Sequence, residues 1–267
     1  MTGPIDDVHA PALTVLVDYD GTIATADVSD EVMRRFASLD SWAPLEAAYL
    51  AGEIGSRRLL TLQAELLRDQ DGAIEAMADA AEEDHDRTFV AFVDLLRHRS
   101  IPLEVVSDGF GFFVAPALER MGLGHVPVVT ALTSFDRGRV EIDFPNGHPR
   151  CLVCGTCKRE RILVHQRAGR HVIFVGDGFS DLYAAAHADT VFAKDHLAEI
   201  CLARGWPFES WGDFSDIGRT IEDGLASGRF ATARRWDYVC GPEVWPPGTT
   251  SPRWDALPAP RAGSTGS

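Results

Sequence analysis

Two acidic residues stand two positions apart in Asp18-Tyr19-Asp20-Gly21-Thr22. They directly follow the apolar run 13–17, which is typical of a buried strand that ends in a polar loop. Two carboxylates presented there can divide a phosphoryl-transfer reaction, one attacking phosphorus and the other moving protons. The alternative is an ordinary Asp/Gly turn after a strand. We favour the chemical interpretation, because four fixed residues recur by chance on the order of once in 10⁵ positions.

A second acidic motif is Gly176-Asp177-Gly178-Phe179-Ser180-Asp181, which follows the apolar run 171–175. Asp177 and Asp181 are four positions apart, so both can face one site if a helix begins there. Mg²⁺ binds through one or two carboxylates, with substrate phosphate and water completing its shell. Asp18 and Asp177 are therefore the natural pair of metal ligands. The alternative for Asp181 is that it only caps the N-terminus of the following helix.

Two weaker signals lie between the acidic motifs. Ser107 and Gly109 follow the apolar run 101–106, and a hydroxyl with adjacent backbone amides can hold a phosphate oxygen without adding charge. Lys158 opens a predicted helix, where an ammonium can balance the negative charge of a nucleophile and a phosphate. A serine after a strand is usually a turn residue and a lysine usually a surface group, so only their position between the motifs gives them weight.

The elements that must position these residues alternate between strands and helices. Three apolar strands, 13–17, 101–106 and 171–175, each end in small or acidic residues, which places those residues at one edge of a parallel sheet. The pattern predicts a doubly wound α/β sheet. Helices are predicted at 89–99, 112–121 (with Gly122 as its C-cap), 158–166 and 181–187, short strands at 127–132 and 190–192, and a hairpin arm at 139–144.

The chain divides into three parts by composition. Residues 12–26 and 89–230 form the predicted core domain, and residues 27–88, helix-rich, acidic and without strand signals, form a predicted helical insertion after the first strand. Residues 231–267 form a C-terminal extension rich in Pro, Gly, Ser and Thr, which we expect to be largely disordered towards its end. Its first part carries Trp236, Tyr238 and Trp245, which can pack onto the body.

Composition excludes several classes of partner. The chain has 267 residues with 45% hydrophobic content and a formal net charge of −15, so its overall field repels nucleic acid and anionic lipid. No apolar run approaches the roughly 18 residues that a membrane span needs, and residues 1–11 show neither a basic start nor an apolar stretch. We expect a cytoplasmic enzyme that binds neither nucleic acid nor membrane. The oligomeric state stays open, a homodimer being one option.

Taken in order, the motifs Asp18-x-Asp20, Ser107, Lys158 and Gly176-Asp177-x₃-Asp181 resemble the four motifs of the haloacid dehalogenase superfamily. The resemblance extends from residue 13 to about residue 194. The helical insertion resembles the small C1-type cap of the phosphoserine phosphatase-like branch. The cysteine-rich run before Lys158, together with residues 107–113, looks closest to the 2-hydroxy-3-keto-5-methylthiopentenyl-1-phosphate phosphatases.

This resemblance implies a Mg²⁺-dependent phosphatase with a Rossmann-like core, acting on a small phosphorylated metabolite. Asp18 would form an aspartyl-phosphate, while Asp20 would protonate the leaving oxygen and then activate water. The implied metal ligands are Asp18, Asp177 and the backbone carbonyl of Asp20, with Asp181 supporting them from behind. The implied phosphate-binding residues are Ser107, Asp108, Gly109 and Lys158.

The resemblance places substrate choice in the cap. Phosphoserine phosphatases use an acidic residue shortly after the first motif to bind the substrate amine. Asp27, Asp30 and Glu31 are in range here, yet none has an unambiguous matching position, which argues against phosphoserine as the substrate.

The run His148-x₂-Cys151-x₂-Cys154-x₂-Cys157 supplies four ligands that Zn²⁺ accepts. Two interpretations stay open: a zinc or other soft-metal site, or reduced thiols in a loop beside the active site. We favour thiols, because a structural zinc site normally uses two separated pairs of ligands.

Three functional hypotheses follow. A phosphatase is favoured because all four motifs are present. A phosphotransferase or a phosphonate-cleaving relative on the same fold is the second, and the acid/base group Asp20 argues against members that lack it. A catalytically silent binding protein is the third, and the joint presence of Asp18, Asp20, Lys158 and Asp177 argues against it.

Overall fold

The computed structural model describes residues 12–69, 72–74, 76, 85–149 and 151–231. The predictions for the C-terminal extension beyond residue 231, including Trp236, Tyr238 and Trp245, lie outside the described residues. No helix within the described ranges is long and apolar enough to cross a membrane.

The core of the fold is a six-stranded, fully parallel sheet. Strand β1 (Leu13–Val17) lies at its centre between β2 (Leu103–Val106) and β6 (His171–Gly176). Strand β3 (Val128–Val129) adds to β2 at one edge, and β7 (Thr190–Ala193) and β8 (Glu209–Ser210) extend the other. The parallel register places the ends of β1, β2 and β6 at one edge, as the sequence predicts.

Both faces of the sheet are buried, and β1 shows why. All five of its residues are buried, with Val15 and Val17 in one apolar cluster and Leu16 in the other. Successive side chains of a strand point to opposite faces, so an unbroken apolar run requires cover on both sides. The prediction of a doubly wound α/β fold is confirmed.

Three helices of the described residues follow β1 in the chain: α1 (Val28–Phe36), α2 (Leu39–Leu50) and α3 (Ser56–Leu66). Asp27 caps α1 by accepting a hydrogen bond from the Asp30 N–H at 2.9 Å. We call α1 to α3 the cap helices. Val32 and Met33 on α1 and Leu60 on α3 join the same apolar cluster as one face of the sheet, so the cap helices pack on the core.

Further helices flank the sheet, and six of them lie entirely within the described residues. They are α4 (Phe89–His98), α5 (Val114–Arg120), α6 (Lys158–Arg167), α7 (Leu182–Ala185), α8 (Asp195–Arg204) and α9 (Phe214–Ser227). On one face α4 and α9 meet through Phe89 and Phe214, whose ring centroids lie 4.8 Å apart. On the other face Leu197 and Cys201 of α8 pack into the second cluster. The helix α8, the strand β8 and the helix α9 were not predicted.

Strands β4 (Leu132–Asp136) and β5 (Arg139–Asp143) form an antiparallel hairpin outside the main sheet. The hairpin arm predicted at 139–144 is confirmed. The strand predicted at 127–132 is split, because the Thr130 carbonyl accepts from the Asn146 side chain at 2.8 Å instead of pairing within the sheet. The hairpin meets the end of the cap helices, where the Asp69 N–H donates to the Gly138 carbonyl at 2.9 Å.

Two predicted elements differ in form. The second strand begins at Leu103 and not at residue 101, which fits the missing N–H of Pro102. The helix predicted at 181–187 is instead a 3₁₀ turn at Phe179–Asp181 followed by the short α7. The Asp181 carboxylate accepts from the backbone N–H groups of Asp177 and Gly178, which tightens this turn.

Candidate active site

Three carboxylates meet where β1 and β6 end. Asp18 directly follows β1, Asp177 directly follows β6, and Asp181 closes the 3₁₀ turn after it. Each offers an oxygen that lies within 4.8 Å of the oxygens of the other two. The Asp18 N–H donates to the Val175 carbonyl at 2.9 Å, which fixes the first loop against the second.

Lys158, at the first position of α6, joins two of these carboxylates. Its side chain is 2% exposed, and its Nζ lies 2.8 Å from Asp18 Oδ1 and 2.6 Å from Asp181 Oδ1. It also donates to Ser180 Oγ at 3.0 Å. Although burial lowers the pKa of Lys158, the neighbouring carboxylates raise it above its usual value, so the ammonium stays charged.

Asp181 and Thr22 hold the second acidic loop in place. Asp181 Oδ2 accepts from the backbone N–H groups of Asp177 at 3.0 Å and Gly178 at 3.1 Å. Thr22 Oγ1 donates to Asp177 Oδ1 at 2.6 Å. These bonds leave Asp177 Oδ2 as the oxygen of that carboxylate with no donor among the described residues.

The charge of this cluster suits a divalent cation. Burial and the negative charge of Asp181 raise the pKa of Asp18 well above its usual value, and the same two causes raise that of Asp177 to about 7. Three carboxylates face one ammonium, so an excess of two negative charges remains when all are ionised. Oxygen ligands with this excess charge match the preference of Mg²⁺.

Asp20 is anchored to the cap. Its Oδ1 accepts from the Val28 N–H, at the start of α1, at 2.9 Å. Its Oδ2 faces Gly109, where a Cβ atom would lie 2.7 Å away. Burial, and next the charge of Asp27, raise the pKa of Asp20 well above its usual value. A carboxyl group that keeps its proton more readily than usual is suited to acid catalysis.

Ser107, Asp108 and Gly109, in the loop after β2, make hydrogen bonds within the loop and to the neighbouring elements. Ser107 is fully buried, and its Oγ accepts from the Gly109 N–H at 3.2 Å. The Asp108 carboxylate accepts from Ser56 Oγ at 2.5 Å and from the Thr156 N–H at 2.8 Å. The Asp108 side chain is therefore directed at protein partners and the Gly109 N–H at Ser107, which leaves the Asp108 backbone N–H as the group of this pair that can donate to a phosphate.

These loops border a cavity of about 650 Å³ between the sheet edge and the cap helices. Ser107 and Lys158, predicted to bind phosphate, are buried beside it and are not among its lining residues. The core contributes Asp18, Asp20, Gly21, Asp108, Gly109, residues 177–180, residues 194–196 and Glu199, and the cap side contributes residues 25–27, Ser29, Asp30, Glu46, Tyr49, Leu50, Ser56, Leu59, Leu60 and Gln63.

The cap wall of the cavity is acidic and hydrogen-bonding. Burial and the charge of Asp27 raise the pKa of Asp30 to about 6, and burial with the charges of Asp30 and Asp27 raises that of Glu46 to about 7. Ser29 Oγ is buried and has no hydrogen-bond partner among the described residues. A buried hydroxyl without a partner is unfavourable, so a ligand group that reaches Ser29 would stabilise it.

The cysteine run does not assemble a metal site. Among the described residues, the potential ligands that lie close enough to share an ion are the three aspartates, and neither His148 nor Cys151, Cys154 or Cys157 belongs to such a group. The cysteines are not in disulfide bonds. Burial raises the pKa of Cys151, and that of Cys157 to about 11, so these thiols are protonated at neutral pH. The zinc interpretation is not supported, and the favoured one, reduced thiols near the site, fits.

Several residues of the site were missed in the sequence. Thr22 stood inside the first motif, and its bond to Asp177 connects positions far apart in the chain, which no local pattern shows. Ser56 and Glu46 lie on cap helices whose sequence carries no motif. Ser180 stood inside the second motif without a role assigned to it.

Comparisons with known proteins agree with this geometry. The chain is 32% identical to a 2-hydroxy-3-keto-5-methylthiopentenyl-1-phosphate phosphatase of Bacillus pumilus, over 76% of this chain and 88% of that protein. It is 30% identical to the protein of the same name from Brevibacillus brevis, over 79% of this chain and 95% of that protein.

The fold is shared with solved phosphoserine phosphatases. A substrate-bound phosphoserine phosphatase superposes with a TM-score of 0.60 at 18% identity, covering 78% of this chain and 98% of that one. A phosphoserine phosphatase that holds an analogue of the phospho-aspartyl intermediate gives a TM-score of 0.58 at 17% identity, covering 81% and 99%. The family pattern described as haloacid dehalogenase-like hydrolase matches residues 15–186. The chain belongs to the haloacid dehalogenase-like hydrolase family.

Proposed function

We propose that this hydrolase is a Mg²⁺-dependent phosphatase that removes the phosphoryl group of a small phosphorylated metabolite through a covalent intermediate on Asp18. The observation that carries the proposal is the setting of the Asp18 carboxylate. Its Oδ1 accepts from Lys158 Nζ and from the Tyr19 N–H, both at 2.8 Å, while the side chain lines the cavity. One oxygen is thus held and the other is available to attack.

The first step transfers the phosphoryl group to the protein. Asp18 Oδ2 attacks phosphorus, the ester P–O bond breaks, and the leaving oxygen takes the proton of Asp20. Asp20 is placed for this role because the Val28 N–H holds one of its oxygens and the other faces the cavity beside Gly109. Its raised pKa favours the protonated form that the step needs.

The second step returns the protein to its starting state. Asp20, now ionised, takes a proton from water, and the water oxygen attacks phosphorus of the aspartyl-phosphate. The bond between phosphorus and Asp18 breaks, and inorganic phosphate leaves. Lys158 supports both steps, because its ammonium offsets the negative charge on Asp18 while the carboxylate is free.

The residues that would hold Mg²⁺ are Asp18 and Asp177, together with the Asp20 backbone carbonyl, and Asp181 would orient the Asp177 loop from behind. Bound there, the cation would neutralise charge on the phosphoryl oxygens and on Asp18. Among the described residues, the cluster has two negative charges in excess of Lys158, which is why a divalent cation and not a monovalent one fits.

The substrate class follows from the cavity and the relatives. A volume of about 650 Å³ suits a metabolite-sized ester. The relatives are named for 2-hydroxy-3-keto-5-methylthiopentenyl-1-phosphate, and we propose that this chain acts on that ester or one of similar size. We propose that residues 12–26 and 89–230 carry the chemistry and that residues 27–88 select the organic part.

The test is release of phosphate from a panel of esters, with and without Mg²⁺, by wild type and by Asp18→Asn. The panel contains p-nitrophenyl phosphate, phosphoserine, sugar phosphates and 2-hydroxy-3-keto-5-methylthiopentenyl-1-phosphate. We expect Mg²⁺-dependent release by wild type and loss of at least about 10³-fold in the variant. Release from no ester, or equal rates for the two proteins, would contradict the proposal.

A further inference from the structure

Asp108 carries a side chain that the proposed chemistry does not use. It lies one residue after Ser107 at the end of β2, and it lines the cavity. A carboxylate at this position repels a phosphate, yet both of its oxygens have donors: Ser56 Oγ at 2.5 Å and the Thr156 N–H at 2.8 Å. Asp108 and its two partners come from three places: the loop after β2, the cap helix α3 and the loop before Lys158.

Further hydrogen bonds join the cap helix α3 to the loop before Lys158. Gly55, the N-cap residue of α3, has no side chain to satisfy the first N–H groups of the helix. The Arg57 N–H donates instead to the Val153 carbonyl at 3.1 Å, and Arg57 Nε donates to the Cys154 carbonyl at 3.1 Å. The Gly155 N–H donates to Ser56 Oγ at 3.3 Å. The start of α3 is thus hydrogen-bonded directly to residues 153–155 of the loop before Lys158.

Close packing makes this junction specific. A Cβ atom on Gly155 would lie 2.5 Å from Asp108 Oδ1 and 2.9 Å from the Phe144 ring. The absence of a side chain at Gly155 therefore lets the loop reach the Asp108 carboxylate. We call Ser56, Asp108, Gly155 and Thr156 the cap clamp.

The clamp lies next to the catalytic ammonium. Lys158 follows Thr156 by two residues, and its N–H donates to the Thr156 carbonyl at 3.0 Å. Its Nζ lies 2.8 Å from Asp18. A movement of α3 away from the core would therefore pull on the backbone that presents Lys158, and it would also withdraw Leu60 and Gln63 of α3 from the cavity.

We infer that Asp108 is a positioning residue that clamps cap helix α3 onto the loop before Lys158, and that it thereby sets specificity for esters whose organic part reaches the cap. The inference rests on the proposed phosphatase function. Asp108 acts through Ser56 and Thr156 and does not touch the phosphoryl group with its side chain.

The kinetic test compares two substrates of different length. We expect the aromatic ring of p-nitrophenyl phosphate to reach the cap side of the cavity, and the shorter two-carbon group of acetyl phosphate to stay beside the nucleophile. For Ser56→Ala and Asp108→Ala we expect kcat/KM for p-nitrophenyl phosphate to fall about tenfold further than for acetyl phosphate, mainly through KM. Asp108→Asn keeps an acceptor for Thr156 and a donor for Ser56, so we expect it to restore most of the loss.

The matched control is Thr61→Ala on the same helix. Thr61 Oγ1 donates to the Arg57 carbonyl at 2.8 Å within α3 and takes no part in the clamp, so its loss should leave the substrate ratio unchanged. An equal fall for both substrates in Ser56→Ala, or an Asp108→Asn variant as impaired as Asp108→Ala, would overturn the inference.

Amide hydrogen exchange tests the clamp without turnover. We expect Ser56→Ala to speed exchange at the Arg57 and Thr156 N–H groups in the full-length protein, and Thr61→Ala to leave both unchanged. Unchanged exchange at Thr156 in Ser56→Ala would overturn the clamp even in a protein with activity. If the wild type hydrolyses no ester but amide exchange is faster in Ser56→Ala, the proposed function is contradicted and the clamp is still supported.

Discussion

At the scale of single residues, Lys158 decides whether the acidic cluster is compatible with a folded core. Replacing it with Met leaves Asp18 and Asp181 buried without their cation. Removing one partner of a buried ion pair costs about 3 kcal/mol or more, so we expect a loss of that size in the free energy of unfolding. Urea denaturation in EDTA measures it.

The matched control for this change is Arg97→Met. Arg97 pairs with Asp94 at 2.9 Å, but both side chains are at least half exposed, so the free energy of unfolding should not change measurably. Equal effects of the two substitutions would show that Lys158 does not compensate a buried charge.

Protons and Mg²⁺ should compete for Asp177. The pKa of Asp177 in the folded protein is about 7, above the ordinary value of 3.8, so the folded state binds this proton more tightly than the unfolded state does. The resulting stabilisation is complete below pH 3.8 and is lost as the pH rises through 7. Because Mg²⁺ binds the ionised form, we expect it to raise Tm more at about pH 8 than at about pH 5.5. Calorimetry of wild type and Asp177→Asn measures this, and an equal Mg²⁺ effect at the two pH values would contradict it.

Motifs predicted the acidic residues of the site and Lys158, which pairs with two of them, but not the contacts between the cap and the core. Asp18, Asp177 and Asp181 stand in short patterns that follow apolar strands, and the fold does bring them together. The bond between Ser56 and Asp108 joins residues 52 positions apart, and neither residue type is unusual at its place in the sequence. Such pairs depend on how the cap sits on the core, which local sequence does not encode.

At the scale of elements, the turn after β1 sets the distance between the two acidic loops. Gly21 has a φ of 68°, and a Cβ atom there would collide with the Asp177 carboxylate. Gly122 has a φ of 75° with open space around it. We expect Gly21→Ala and Gly122→Ala to lose about 1 kcal/mol each from backbone strain.

Only the change at Gly21 should affect the site. The displaced Asp177 carboxylate should lower Mg²⁺ affinity and phosphate release by at least about tenfold, while Gly122→Ala keeps both. Mg²⁺ titrations of the two variants make the comparison. A Gly21→Ala variant with the Mg²⁺ affinity of Gly122→Ala would show that the close approach to Asp177 has no consequence.

Elements with a strong periodic signal were predictable, and short or context-dependent ones were not. The central strands are unbroken apolar runs with polar ends, so β1, β2 and β6 follow from the sequence. Strand β8 has two residues and exists only because it pairs with β7. Helix α9 carried a signal that was missed: Asp213 caps its start and Gly228 ends it with a φ of 70°.

At the scale of the whole molecule, the core and the cap favour opposite charges on a substrate. The core must bind a negatively charged phosphoryl group, whereas the cap wall carries the acidic residues Asp27, Asp30 and Glu46 and so disfavours negative charge. No arginine is among the described residues that line the cavity. A substrate carboxylate therefore meets like charge on the cap side.

Phosphoethanolamine and phosphoserine differ by one carboxylate and so form a matched pair. We expect kcat/KM to be about tenfold higher for phosphoethanolamine at a pH above 7, where Glu46 is ionised. The double variant Asp30→Asn/Glu46→Gln removes two acidic groups of the cap wall, so the ratio of kcat/KM for phosphoethanolamine to that for phosphoserine should be smaller. A wild type that prefers phosphoserine would show that the cap wall does not select against carboxylates.

The central claim is that Asp18 forms a covalent bond to phosphorus. Its most direct test is to quench the protein with acid during turnover of p-nitrophenyl phosphate in Mg²⁺, reduce it with borohydride and sequence the peptides by mass spectrometry. An aspartyl-phosphate is reduced to homoserine, so the account predicts homoserine at position 18 of the wild type and its absence in Asp18→Asn. Steady release of phosphate with unmodified Asp18, or with homoserine at position 20, would contradict it.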